Sequence, residues 1–66
     1  MYIDEIFKYH APKEGQQEKY EALRSKAKEL AYLIDELTPQ SREKSLSLTK
    51  LQETVMFANA AIAINE

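Results

Sequence analysis

Two apolar stripes with the same alternating spacing lie on either side of a Thr38-Pro39 step, and together they constrain what this chain can become. The first stripe runs Tyr20, Leu23, Ala27, Leu30, Ile34 and Leu37, at intervals of three, four, three, four and three. The second runs Leu48, Leu51, Val55, Ala58 and Ile62, again alternating three and four. Such a repeat gathers each set on one side of a helix that packs nearly lengthwise against another. With one glycine and two prolines, turn signals are too sparse for an all-β fold. The spacing predicts a first helix over about 14–37, with Gly15 in its opening turn. A second follows over about 39–65, with Thr38 as its N-cap and Pro39 at its first position, where a missing N–H costs nothing. So short a link makes the helices antiparallel neighbours. Pro12 biases Ala11 toward an extended backbone, so residues 1–12 form a separate N-terminal arm. The expected fold is all-α: a single domain over 1–66, built as an antiparallel helical hairpin with a short leading segment.

That hairpin is incomplete by itself. Val55, Met56, Phe57, Ala58, Ala60, Ala61, Ile62, Ala63 and Ile64 point in every direction around the second helix. At 100° per residue, Phe57, Ala60 and Ile64 fall opposite the seam, with Met56 and Ala63 flanking them. Leaving Phe57 and Ile64 wet would forfeit about 1.5–3 kcal/mol each, comparable to the whole surplus of a small domain. A chain of this size also buries only about 60% of its unfolded surface. The alanines at 58, 60, 61 and 63 let another helix approach closely. The expectation is a symmetric homo-oligomer, built from two-fold pairs that assemble further, with Met56, Phe57, Ala60 and Ile64 at the interface. The competing cover is the N-terminal YIDEIF segment folding back over this face.

Most catalytic chemistry is excluded. There is no cysteine, so disulfides and thiolate metal sites are ruled out. His10 is the single histidine, which eliminates any multi-histidine metal centre within one chain. No GxSxG elbow, GxGxxG loop or GxxxxGK loop occurs. Asp35, Glu36 and Glu29 lie on a helix surface, where nothing marks them as an acid/base pair. The reading is a non-enzyme without cofactor or metal. The closing apolar run is about half the roughly twenty residues needed to span a bilayer, and Met1 is followed by no signal-peptide pattern. A soluble intracellular protein is expected.

The net charge of −2 argues against DNA or RNA polymers as partners. Its distribution is uneven, however. Lys8, Lys13, Lys19, Arg24, Lys26 and Lys28 stand against Glu14, Glu18 and Glu21 in one segment. Arg24 and Lys28 are four apart and project from the same side of the first helix, flanking its seam. With Tyr9 and His10 on the arm nearby, an aromatic ring beside paired cations suits a nucleotide: the ring stacks on a base and the cations meet phosphate. On spacing alone, the plainer reading is favoured over the nucleotide site: Tyr9 as a packing aromatic and His10 as a cap or surface residue.

The runs FKYHAP at 7–12, QEKYEALRSKAKELAYLI at 17–34 and SREKSLSLTKLQETVMFANAAIAINE at 41–66 carry a more specific signal. In their order and spacing the chain resembles the phage anti-CBASS sponge family, small helical-hairpin proteins that sequester cyclic oligonucleotide signals of bacterial antiviral defence. The resemblance implies a non-catalytic symmetric assembly, commonly hexameric, working in the host bacterial cytoplasm. It implies cyclic dinucleotides such as 3′,3′-cyclic GMP–AMP held between two protomers. The family's stacking tyrosine matches Tyr9, and His10 is the residue after it. The family's basic residue on the first helix falls at Arg24 without gaps, and at Lys26 or Lys28 if the alignment slips. Many relatives carry arginine at the position of Ile64, in the pattern AIARN. Some relatives also take cyclic trinucleotides in a second set of pockets; if that arginine serves there, Ile64 weakens that second ligand class and leaves the dinucleotide site untouched. The alternative from the residues alone is a helical protein–protein or inhibitor module that turns its apolar tail toward a foreign partner.

Overall fold

A computed structural model describes residues 2–6 and 12–66, with the backbone alone at Glu5 and Ile6. The elements in chain order are α1 (Tyr2–Ile6), α2 (Gln16–Leu37) and α3 (Arg42–Asn65). Helices α2 and α3 form the expected hairpin. Among the described residues, packing between elements is confined to these two. Tyr2 and Ile3 of α1 are exposed, so they provide no cover for the hairpin's apolar surface.

The helix ends differ from the sequence expectation for identifiable reasons. Gly15 is not part of the opening turn of α2; it lies just outside, at φ 86°, where a residue without Cβ is favoured. The Gln16 Oε1 accepts from the Lys13 backbone N–H at 2.8 Å, closing that turn. Thr38 does not cap the following helix. It ends α2, with its hydroxyl and its backbone N–H both donating to the Ile34 carbonyl, at 2.6 and 3.1 Å. Helix α3 therefore starts at Arg42, after Pro39, and Ser41 is its N-cap: the Ser41 Oγ accepts from the Lys44 N–H at 3.1 Å. Ser41 takes the cap because its hydroxyl reaches the N–H of the third residue of the helix, whereas the Thr38 hydroxyl is directed to the Ile34 carbonyl.

Lys44 locks this corner. It is 7% exposed, and its ammonium donates to the carbonyls of Asp35 (2.9 Å) and Thr38 (3.2 Å) while pairing with the Asp35 carboxylate at 2.9 Å. A cation here answers the partial negative charge of the α2 C-terminus. At the far end, Lys19 pairs with Glu66 at 2.7 Å, Lys13 donates to the Glu66 carbonyl, and the hairpin is held at both ends.

The seam on α3 is the expected one: Leu48, Leu51, Val55, Ala58 and Ile62 are half-buried, and Asn59 joins them. On α2 the seam is Tyr20, Leu23, Ala27, Ala31 and Ile34. Leu30 and Leu37 leave it, at 45% and 70% exposed. The cause is the pitch. A straight helix drifts about 20° per heptad from a strict seven-residue repeat, so Ala31 rather than Leu30 returns to the contact line. Leu30, Leu33 and Leu37 instead form a stripe along one open edge of the hairpin.

No apolar residue is fully buried among those described. The protein is 13 Å thick in its shortest dimension, about one helix diameter. Its accessible surface is 5769 Å² for 7.6 kDa. A compact monomer of that mass would expose about 4,300 Å². The excess is about 1,500 Å², larger than the roughly 800 Å² each partner gives to a standard interface.

Candidate functional site

A two-helix slab has two open edges, and here they differ in chemistry. The edge opposite the leucine stripe is a trough with three adjoining parts. The largest, about 540 Å³, is lined by Ala27 and Ala31 from α2 and by Leu48, Val55 and Met56 from α3, with Arg24 and Lys28 beside them. Toward the Thr38 corner it passes, through Lys28, Ala31 and Leu48, into a smaller part of about 260 Å³ bounded by Tyr32 and Asp35. Toward the other end it passes, through Arg24, into a part of about 410 Å³ lined by Tyr20, Asn59, Ala60 and Ala63. Small residues make part of the floor: Ala27 and Ala31 of the α2 seam in the centre, and Ala60 and Ala63 of α3 toward the end beside Arg24. Larger residues there would fill the trough.

Its cations are unusual among the charges of the molecule. Lys19, Lys26, Arg42, Lys44 and Lys50 each pair with a carboxylate, and Lys13 donates to a carbonyl. Among the described residues, Arg24 and Lys28 are the two cations with neither a carboxylate within 4.0 Å nor a hydrogen bond. Both border the trough. Two free positive charges over an apolar floor suit a ligand with anionic groups and flat, poorly hydrated faces.

The structure brings together some of the sequence candidates and separates others. Arg24 and Lys28 share the central part of the trough. Lys26 stands outside it, with its side chain 82% exposed and its ammonium 3.5 Å from Glu29. Tyr9 and His10 lie outside the described residues. Of the residues expected at an interface, Phe57 and Ile64 stand on the outer face of α3, 74% and 66% exposed. Met56 is exposed on the rim of the trough. Ala60 is half-buried and lines the part beside Arg24 instead of standing on the outer face.

Asn59 is the residue that reading by heptads passes over. It lies eleven positions after Leu48, about three full turns, which returns it to the seam. Among the described residues, Glu66 is the group whose ionisation is shifted: the Lys19 ammonium hydrogen-bonded to it holds its carboxyl below the ordinary value of 4.5, against a smaller opposing effect of desolvation. It is remote from the central trough. No described helix is long and apolar enough to cross a membrane.

The family model described as Acb2/Tad1, hairpin domain, matches residues 1–63. No curated protein and no solved structure gives a significant match.

Proposed function

Because the chain belongs to the Acb2/Tad1 hairpin-domain family, the anti-CBASS sponges, we propose that it is a phage protein that captures cyclic oligonucleotide messengers without cleaving them, in the host bacterial cytoplasm. The proposed ligands are cyclic dinucleotides such as 3′,3′-cyclic GMP–AMP, and the proposed result is that the host's defence effectors are not activated. The observation that carries this reading is the pair of free cations, Arg24 and Lys28, beside an apolar trough. Such a ligand has two phosphates for the cations and flat bases for the floor.

The trough of one protomer is open on one side, so the site is completed by a second copy. A two-fold pair presents Arg24 twice, once to each phosphate of a nearly two-fold ligand. Tyr9 of each copy then stacks on a base, with His10 beside it. The rigid ring loses little conformational entropy on capture, which favours tight binding. Pairs assemble further, in this proposal to a hexamer. Ile64 stands on the outer face, away from the trough. Replacing the arginine of many relatives there bears on cyclic trinucleotides and not on the dinucleotide site.

The test is the melting temperature with and without 3′,3′-cyclic GMP–AMP. A ligand at a hundred times its dissociation constant adds about 2.7 kcal/mol, a rise of several degrees for so small a chain. Tyr9→Ala and Arg24→Ala each abolish the rise while leaving the assembly mass unchanged. A second reading rests on the apolar residues left uncovered, Leu37 at 70% and Phe57 at 74% exposed: a helical module that docks on a foreign protein and binds no nucleotide. Absence of a shift with any cyclic dinucleotide decides for that reading.

A further inference from the structure

The trough contains one polar group whose chemistry is unfinished. Among the described residues, Asn59 Oδ1 is the one side-chain polar atom sealed from water without a hydrogen-bond partner. Buried polar groups are nearly always paired, and an unmet one carries a desolvation cost. Asn59 lines the same part of the trough as Arg24, together with Tyr20, Ala60 and Ala63. Two of those neighbours have donors. The Tyr20 ring is half-buried in the seam and turns about two torsions. Arg24 is exposed, is unpaired and swings about four.

We propose that Asn59 is a positioning residue for ligand capture: its amide oxygen accepts from the Arg24 guanidinium when Arg24 turns into the trough to meet a phosphate. This rests on the anion-binding reading of the trough given above. A guanidinium has five N–H donors, and a phosphate engaged side-on takes two of them. For the N–H groups left facing the Ala60–Ala63 floor, the side-chain acceptors lining this part are the Asn59 amide oxygen and the Tyr20 hydroxyl, and of the two the amide oxygen is the one sealed from water without a partner. The oxygen has already lost its water in the free protein, so the cost of desolvating it is not incurred again on binding. Asn59 thereby turns a flexible arginine into an oriented one, at the place where a fork-shaped cation differs most from a lysine.

The experiment measures 3′,3′-cyclic GMP–AMP affinity by titration calorimetry in the wild type, Asn59→Ala and Arg24→Lys, and in the double variant. Ligand-free melting is recorded in parallel. Asn59→Ala is expected to bind about tenfold more weakly, the lower end of what a hydrogen bond to a charged group provides. Its ligand-free melting temperature stays level or rises, because the unmet oxygen is gone and alanine is the better helix former. In the Arg24→Lys background, which keeps the charge and loses the fork, Asn59→Ala changes affinity less than twofold. The proposal is overturned if Asn59→Ala binds like the wild type. It is also overturned if Asn59→Ala costs the same tenfold in both backgrounds, or if affinity and ligand-free stability fall together. A wild type that binds no cyclic dinucleotide overturns the sponge reading itself, and this proposal with it.

Discussion

Replacing Phe57 tests whether the apolar outer face of α3 is where copies of the chain meet. Phe57 is 74% exposed in the isolated hairpin, with Ile64 at 66% and Met56 at 62%. Burying a large apolar side chain completely contributes about 1.5–3 kcal/mol, so three-quarters of a phenylalanine is worth about 1–2 kcal/mol per copy. A two-fold pair uses the residue twice, which gives about 2–4 kcal/mol per pair, or about 30- to 1,000-fold in the association constant. Phe57→Ala should weaken association on that scale. Phe57→Asp should abolish it, since each pair would then bury two uncompensated carboxylates. Phe57→Leu keeps most of the apolar area and should retain the assembly. The assay is sedimentation equilibrium or light scattering over a concentration series from micromolar upward. An unchanged mass for Phe57→Asp throughout that series refutes the reasoning. So does a loss of mass in Phe57→Leu equal to that in Phe57→Ala, because then area is not what matters.

Three further outcomes follow from the ends of the hairpin. Lys44→Met keeps the aliphatic stem but removes the ammonium from two carbonyls and from Asp35; with hydrogen bonds to a charged group worth about 1.5–3 kcal/mol, melting should fall by about 6–24 °C at equal protomer concentration, and a fall under about 2 °C rejects the lock. Ser41→Ala removes the N-cap acceptor of α3 and should cost about 1 kcal/mol, read as a drop of about 4–8 °C, whereas Thr38→Ala, outside that cap, should leave the Lys44 N–H as protected from exchange as in the wild type. The third concerns pH. Glu66 is held below its ordinary value of 4.5 by Lys19, so its contribution is complete above that value and disappears as pH falls through the lowered one. Carboxyl NMR titration should show Glu66 ionising below 4.5 in the wild type and moving up in Lys19→Ala; equal titration in both proteins denies the contact.

Much of the hairpin was legible because two stripes of opposite-running helices need only composition and spacing to be recognised. What spacing could not supply was pitch. A heptad count puts Leu30 and Leu37 on the seam and leaves Asn59 off it, whereas a straight 3.6-residue helix makes the opposite choices. The corner was misread for a different reason. Thr38 and Ser41 are both competent caps on residue type and both have extended backbones; the choice between them depends on where the hydroxyl points, toward the Ile34 carbonyl for Thr38 and toward the Lys44 N–H for Ser41, which only coordinates show. The site was half legible: Arg24 and Lys28 share a face by their spacing, but that Lys26 is engaged by Glu29 while they are not is a matter of side-chain geometry. Tyr9 and His10, read from the arm, lie outside the described residues.

The slip in pitch also bears on how the molecule divides its surface. Were the repeat strictly heptad, Leu30 and Leu37 would fill the seam and the two edges would be equivalent. Because the contact line follows a 3.6-residue pitch, the leucines are displaced to one edge, while Ala27 and Ala31 take seam positions that border the other. One edge thus becomes a continuous apolar stripe, Leu30, Leu33 and Leu37, without a cation that lacks a partner among the described residues. The other becomes a hollow bordered by Arg24 and Lys28. A stripe of that kind, like the outer face bearing Phe57, gains by meeting apolar surface. A cationic hollow on a protomer of net charge −2 gains by meeting an anion. Under the proposed function the two kinds of surface therefore suit different partners, copies of the chain for one and a small anionic ligand for the other. In the proposed assembly the stripe and the outer face meet copies of the chain, and the hollow of each protomer is closed over the ligand by a second copy.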